Sequence, residues 1–256
     1  MKSKEEVGIF WFRRDFRLSD NAALFHALKE NKRVLPLFIF DREILDKLDE
    51  KKDARVQFIH RELLSIKQQL NSFGSDILVK YGHPEKIWEN LLEDYSIKAV
   101  YVNDDYEPYA RKRDEMINDL LGKKDVSFHR YKDHVIFEKS EVTKDDGQPY
   151  VVFTPYSKKW LAKLDEGRHE TFDTENFFYS FLQFKAPPAP TLSEMGFRAF
   201  EFDYPSREIQ LETIDHYDKY RDIPAIRGTS RLSLHLRFGT VSIRNLVSIA
   251  RLHNQV

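Results

Sequence analysis

The chain of 256 residues can bury a sizeable core as one large or two modest domains, and its 41 basic against 42 acidic residues give a formal net charge of −1. That balance supplies no global positive field for nucleic acid, so any DNA contact needs a local patch. With no cysteine there is no disulfide framework, thiolate nucleophile or cysteine metal site, which suits a cytoplasmic protein. A charged start, Met1 to Glu6, and an apolar run cut short by Arg13 and Arg14 exclude a signal peptide and a membrane span. No metal site is expected, because His129 and His134 are isolated, and neither a Gly-x-Gly-x-x-Gly nor a Walker loop occurs.

In chain order, Val7 to Phe12 is a short apolar run suited to a buried strand, and Arg13 to Asp20 turns into a helix capped by Ser19 or Asp20, with Leu24, Ala27 and Leu28 on one face. Val34 to Phe40 is a second buried strand, although Pro36 argues against a central position. Arg55 to Asn71 carries Val56, Ile59, Leu63, Ile66 and Leu70 at helical spacing. Strand at Ile77 to Tyr81, helix at Pro84 to Tyr95, strand at Ala99 to Val102, helix at Tyr109 to Leu121 and strand at Val126 to Tyr131 follow. This alternation predicts an α/β domain over residues 5–133, a doubly wound parallel five-stranded sheet with helices on both faces.

Periodicity fades over residues 134–206, which read as an interdomain linker with a turn at Asp145 to Gly147, a short helix at Tyr156 to Leu164 and an extended spacer at Ala186 to Pro190. Helical character returns over 207–256. A helix is expected at Glu208 to Tyr220, and another, capped by Ser242, carries Ile243, Leu246, Val247 and Ala250 to the final residue. So apolar a face near the end of the chain leads us to expect further helices to cover it. Trp11, Trp88 and Trp160 are expected in the core.

Between these helices, Gly228 breaks the chain, Thr229 and Ser230 are good N-caps, and Leu232, Leu236 and Phe238 begin an apolar stripe that Gly239 ends. A helix start with free N–H groups, hydroxyls at Thr229, Ser230 and Ser233 and the guanidinium of Arg231 suits a diphosphate. Taken alone, the same residues fit an ordinary capped helix with a surface arginine better.

The whole string Arg227-Gly-Thr-Ser-Arg-Leu-Ser-Leu-His-Leu-Arg-Phe-Gly-Thr-Val-Ser-Ile-Arg244 resembles the flavin-phosphate segment of the DNA photolyase and cryptochrome family. Trp11 to Asn21, Asp104 to Asp114, Val152 to Tyr156 with Trp160, and Tyr217 to Pro224 are similar to family segments in the same order. The resemblance implies an antenna α/β domain of Rossmann-like form, a linker, and the first helices of an all-α FAD-binding domain. It implies that Tyr217, Thr229, Ser230, Arg231, Leu232 and Ser233 contribute to FAD binding. Arg221 matches a position on the rim of the DNA-binding face, where a salt bridge to Asp218 or Asp222 is the simpler role.

An antenna chromophore is also implied. Folate binders of the family carry Asn-Glu where this chain has Tyr109-Ala110 before Arg111, so folate is doubtful and a deazaflavin or flavin is the alternative. Arg13, Asp15 and Asp104 are candidates to line its pocket. The activity implied is light-dependent repair of pyrimidine dimers by electron transfer from reduced FAD, with damaged DNA as partner and a monomer expected. No catalytic group is expected within this chain, because most of the family's flavin pocket and its tryptophan relay lie further on in sequence; alone it is expected to be inactive. The alternatives are a cryptochrome-type photoreceptor without repair, separated from the enzyme by a repair assay, and a self-standing α/β nucleotide-binding protein.

Overall fold

Strands β1 (Glu6–Phe12), β2 (Val34–Asp41), β3 (Leu78–Gly82), β4 (Ser96–Asn103) and β5 (Ser127–Tyr131) pair in the order β3-β2-β1-β4-β5, all parallel. These are seen in a computed structural model that describes residues 6–167 and 171–254. β2 is buried along its whole length and β1 from Val7 onward, as near-continuous apolar runs must be when helices cover both faces of a parallel sheet. Alternate residues serve opposite faces. Phe10, Phe12, Phe38 and Phe40 pack under α1 (Ala22–Glu30) and α3 (Ala54–Ser72), while Ile9, Trp11, Leu37 and Ile39 pack under α4 (Pro84–Asp94) and α5 (Pro108–Gly122). A single turn, α2 (Arg42–Leu45), follows β2. The doubly wound five-stranded sheet read from the sequence is therefore present, and β1, flanked by β2 and β4, is where the winding reverses.

Two local expectations are corrected. Pro36 lies in an interior strand. The carbonyl of Val34 accepts from Leu182 N (2.8 Å) on the β3 side, so Pro36, two residues on, turns its ring nitrogen the same way, just before the β2–β3 ladder begins at Leu37 and Leu78. The missing N–H thus falls outside the ladder. The cap of α1 is Asn21, whose side chain accepts from Leu24 N at 3.2 Å, rather than Ser19 or Asp20. Asp20, in the left-handed region at φ 44, is engaged elsewhere: its carboxylate accepts from Ser242, from Arg244 Nε (3.0 Å) and from Phe172 N (2.9 Å).

Helix α6 (Phe153–Glu166) is longer than the sequence suggested and is the main regular element after the sheet until the carboxy-terminal helices. Trp160 on it is half-buried against Phe137, whereas Trp11 and Trp88 are core residues meeting edge-on at 5.4 Å. Apart from a 3-10 helix at Thr174–Ser180, residues 172–205 are irregular but docked. Phe181, Met195 and Phe197 bury into the α1–α3 face, Gln57 brackets Phe200 with two hydrogen bonds of 2.9 Å, and Tyr204 OH donates to Ala54 O at 2.9 Å. Even the Ala186 to Pro190 stretch is tied down, through Ala186 N to Asp76 (3.0 Å) and His60 Nε2 to Pro190 O (3.1 Å).

The helix expected over Glu208 to Tyr220 is two short exposed ones, α7 (Leu211–Asp215) and α8 (Tyr217–Tyr220), broken at His216. Next, α9 spans only Ser233–Phe238; its N-cap is Leu232, without a side-chain capping bond, so Thr229 and Ser230 do not cap it. Arg231 at φ 53 separates those hydroxyls from the helix. Gly239 ends α9 in the left-handed conformation as expected (φ 61), and Thr240 N closes the turn on His235 O at 3.0 Å. There is a second reason for glycine at 239: a Cβ would stand 2.3 Å from Arg14 O. The last helix, α10 (Ile243–Asn254), has Ser242 Oγ accepting from Asn245 N (3.2 Å), the cap the sequence predicts. Ile243, Leu246, Val247 and Ala250 are half-buried, and the expected continuation to residue 256 lies outside the described residues.

Candidate functional site

The carboxyl ends of β1 and β4 open where ligands sit in sheets of this topology. Directly at the switch, the polar groups satisfy one another. Asp15 accepts from Arg13 N (2.7 Å) and Asn103 Nδ2 (2.6 Å); Asn103 also bonds Asn21 (2.8 Å) and accepts from Ala23 N (3.0 Å). Arg13 pairs with Asp114 and donates to Asn103 O. Asp15 is fully buried, and that burial pushes its carboxyl above the ordinary range. It is a structural plug and lines neither of the two hollows described below. Asp104, another sequence candidate, faces away from the plug, where Arg130 Nε donates to it at 2.6 Å beside a smaller mixed-charge hollow of about 470 Å³.

Arg13 alone of those three lines the larger cleft, of about 700 Å³, between the ends of β1 and β2, α2, the start of α5 and α9. Its floor is apolar: Trp11, Phe38, Phe40, Val56 and Ile59, with Phe238 from α9. Two guanidiniums flank the Trp11 ring, Arg113 at 4.9 Å and Arg13 at 5.6 Å from its centroid, and both pair with Asp114, whose single charge balances one of the two. Burial lowers the Arg13 pKa, opposed by Asp114. Asp41, the last residue of β2, accepts from Tyr109 OH at 2.5 Å and from Glu43 N at 2.9 Å. Burial pushes the Asp41 carboxyl up, and burial together with Asp41 pushes the Tyr109 phenol up as well. Among the described residues, Arg13 Nε and Arg14 Nε are buried without a hydrogen-bond partner. An apolar slot of this volume with unmet buried donors fits a flat, aromatic ligand that carries acceptors.

The carboxy-terminal candidates form a separate, open surface. Tyr217 and Arg221 lie on α8 and its end; Arg221 sits over the Tyr217 ring at 5.6 Å and 3.5 Å from Asp222, the simpler of its two roles. Gly228 packs so closely on Tyr220 that a Cβ would lie 2.5 Å from its carbonyl oxygen, which brings 217–221 and 228–233 together. Thr229, Ser230, Arg231 and Ser233 are exposed, and Leu232 is buried beneath them. Arg231 has no ion pair or hydrogen bond among the described residues and holds a backbone conformation that non-glycine residues seldom adopt. Ser233 also lines the large cleft, so α9 is common to both surfaces.

Sequence reasoning missed the group that joins the two regions. Asp133, buried, accepts from Arg17 (2.7 Å), Arg244 (2.8 Å) and Ala22 N (3.1 Å). Burial would raise its pKa, but Arg17 and Arg244 hold it down at about 2. It also missed Asp41, for which a signal existed: an acid closing an apolar strand at the carboxyl edge of a parallel sheet.

The fold and this cleft define an antenna-type α/β domain joined to a short helical segment. The DNA photolyase family matches residues 8–175, and the chain belongs to that family. A deoxyribodipyrimidine photo-lyase of Alkalihalophilus pseudofirmus is 32% identical over 96% of this chain and 54% of its own length. An archaeal photolyase from Sulfolobus tokodaii, solved with two FAD molecules, superposes with a TM-score of 0.71 at 26% identity, over 98% of this chain and 55% of that one. A Synechocystis cryptochrome shares the fold, with a TM-score of 0.76 at 19% identity over 100% of this chain and 57% of its own. The chain thus spans about half the length of these relatives.

Proposed function

We propose that this chain supplies the antenna domain and the first part of the flavin site of a deoxyribodipyrimidine photolyase, which repairs pyrimidine dimers in damaged DNA under light. The observation that carries this reading is the family match over residues 8–175. FAD, when bound and reduced, supplies the light-driven electron for opening the dimer. The chain's own residues bind and orient: the hydroxyls of Thr229, Ser230 and Ser233 and the free guanidinium of Arg231 take the diphosphate, Leu232 anchors their turn in the core, and Tyr217 covers the phosphates. Arg221 meets the DNA backbone at the rim. The antenna domain is assigned to 5–133, the linker to 134–206 and the flavin segment to 207–256.

The cleft takes the antenna chromophore, a flavin or deazaflavin. The neighbour whose second FAD is described as implying a novel light-harvesting cofactor supports a flavin-type ring, and Tyr109-Ala110 in place of Asn-Glu counts against folate. No described helix is long and apolar enough to cross a membrane. We assign a monomer in the cytoplasm.

The test begins with FAD titration followed by absorption and fluorescence. Saturable binding that weakens about tenfold or more in Arg231→Ala supports the flavin assignment, and binding indifferent to Arg231 and Ser230 sinks it. Illumination with dimer-containing DNA then separates repair from photoreception: flavin photoreduction with no loss of dimers favours the cryptochrome alternative.

A further inference from the structure

The exposed turn at 229–233 is held in space by one buried ring that lies beyond it. Among the described residues, the side chains of Thr229 to Leu234 make no hydrogen bond, and α9, six residues long, is too short to keep its shape alone. His235, in the first turn of α9 and 2% exposed, makes two. Its Nε2 stands 2.8 Å from Pro205 O and its Nδ1 2.7 Å from Thr240 Oγ1. A carbonyl only accepts, so Nε2 carries a hydrogen, and in the neutral ring Nδ1 accepts from the Thr240 hydroxyl. The two bonds reach different places. The bond to Thr240 closes the turn in which α9 ends, whereas the bond to Pro205 leaves the helix and meets the far end of the docked segment 172–205. That end is itself fixed: Tyr204 OH donates to Ala54 O at 2.9 Å, its ring lies 5.2 Å from Phe58, and the Arg61 guanidinium covers it at 4.4 Å. Phe58 also meets the His235 ring edge-on at 5.7 Å. The carboxyl end of α9 has moorings of its own, Phe16 N to Phe238 O and Arg17 Nη1 to Gly239 O, both 3.1 Å. Its first turn, which follows Arg231, is held by His235 and by the burial of Leu232.

We infer that His235 is a positioning residue for the flavin diphosphate: by donating from Nε2 to Pro205 O it sets the 229–233 turn against the docked segment, so that FAD binding and the docking of residues 197–205 favour one another. Burial of Leu232 holds the turn down without fixing its direction, because apolar contact is non-directional. A hydrogen bond to a carbonyl fixes both distance and direction. This inference rests on the flavin reading of 217–233, and adds the group that links that surface to the segment before it.

Two substitutions separate the two bonds. His235→Gln can place an amide nitrogen where Nε2 stands and keep the donation to Pro205 O, while His235→Asn can place an amide oxygen near Nδ1 and keep the bond from Thr240 alone. FAD affinity is read from flavin fluorescence, and stability from urea unfolding of the same samples. His235→Asn is expected to weaken FAD binding about tenfold or more and His235→Gln by no more than about threefold, at similar unfolding midpoints. Equal losses in the two variants, or losses that follow the midpoints, overturn the inference. A second measurement needs no variant. Saturating FAD should slow hydrogen exchange about threefold or more at the amides of Arg198 and Phe200, which donate to Lys51 O and Gln57. FAD that binds the unmodified protein without slowing them overturns the coupling and leaves the flavin site standing. If the unmodified protein binds no FAD, the flavin reading itself fails, and this inference with it.

Discussion

The two halves of this molecule treat polar groups in opposite ways. In the α/β half, buried Asp15, Asn21, Asn103 and Asp114 are each claimed by a neighbour, and large side chains such as Trp88, Phe58 and Leu63 are almost wholly enclosed. In the last fifty residues, Arg231 is unclaimed, Ile223, Ile226, Leu236 and Leu252 are exposed, and the helices other than α10 are too short to be stable alone. Stability resides in the first half, where Arg13 Nε and Arg14 Nε at the cleft are among the few unmet donors, while the second half leaves a whole exposed cluster unclaimed, an uneven division expected where ligands complete a site.

The largest effect that could break this contrast is at Phe58, which is fully buried yet touches Tyr204, His235 and Phe238 from later in the chain. Phe58→Ala is expected to cost about 3–5 kcal/mol in urea unfolding. A cost below about 1 kcal/mol would mean that the core does not carry the later segment. Asp133→Asn follows, at about 3 kcal/mol, because it leaves Arg17 and Arg244 buried with less than full compensation.

The same residue gives a pH test. A folded pKa of about 2, below the ordinary aspartate value of 3.8, means that stability is fully present above pH ~4 and is lost as the pH falls through about 2. Over that window the shift corresponds to ~2 kcal/mol, and acid titration of Asp133→Asn should lack this component. An unchanged acid limb would show that the pairing is weaker than its geometry implies. Asp15 works the other way: its raised pKa makes the folded state favour the proton, so Asp15→Asn should lessen the penalty felt above its ordinary pKa range.

A smaller effect is predicted at Gly239→Ala, where a left-handed φ and the approach to Arg14 O together cost about 1–3 kcal/mol. Hydrogen exchange should place the loss in α9 and the Arg14 to Arg17 loop, sparing β1 to β5. Smallest of all, Arg231→Gly relieves a strained φ and should alter stability by no more than about 1 kcal/mol in either direction while weakening FAD binding. Loss of stability beyond that would make Arg231 part of the scaffold.

What the sequence revealed follows the range of the interaction. The strands, α3, Gly239 and the Ser242 cap were legible because periodicity and capping act over a few residues. The start of α9 was not, because Thr229 and Ser230 carry every local mark of a cap and only the left-handed turn at Arg231 disqualifies them. Pro36 misled because its exemption depends on Leu182. The flavin surface proposed at 217–233 was suggested by its resemblance to a known string, whereas the cleft at the ends of β1 and β2 carries no such string. Asp41 and Tyr109 are 68 residues apart, and Arg17 and Asp133 are 116, so no local pattern announces either pair.

The irregular strap over residues 172–205 sets an order of assembly. Gln57 meets Phe200 across 143 residues and Ala54 meets Tyr204 across 150, so these contacts close long loops yet stabilise only a ribbon whose internal hydrogen bonds are confined to short turns. Such contacts form late and open early. In a refolding experiment followed residue by residue, the sheet with α1 and α3 should acquire protection first and the strap last. Any step that pulls the strap away would then uncover Phe58 and the groove beneath Phe197 while the five strands stay paired, giving the chain a partly opened form that is a kinetic intermediate rather than an unfolded one.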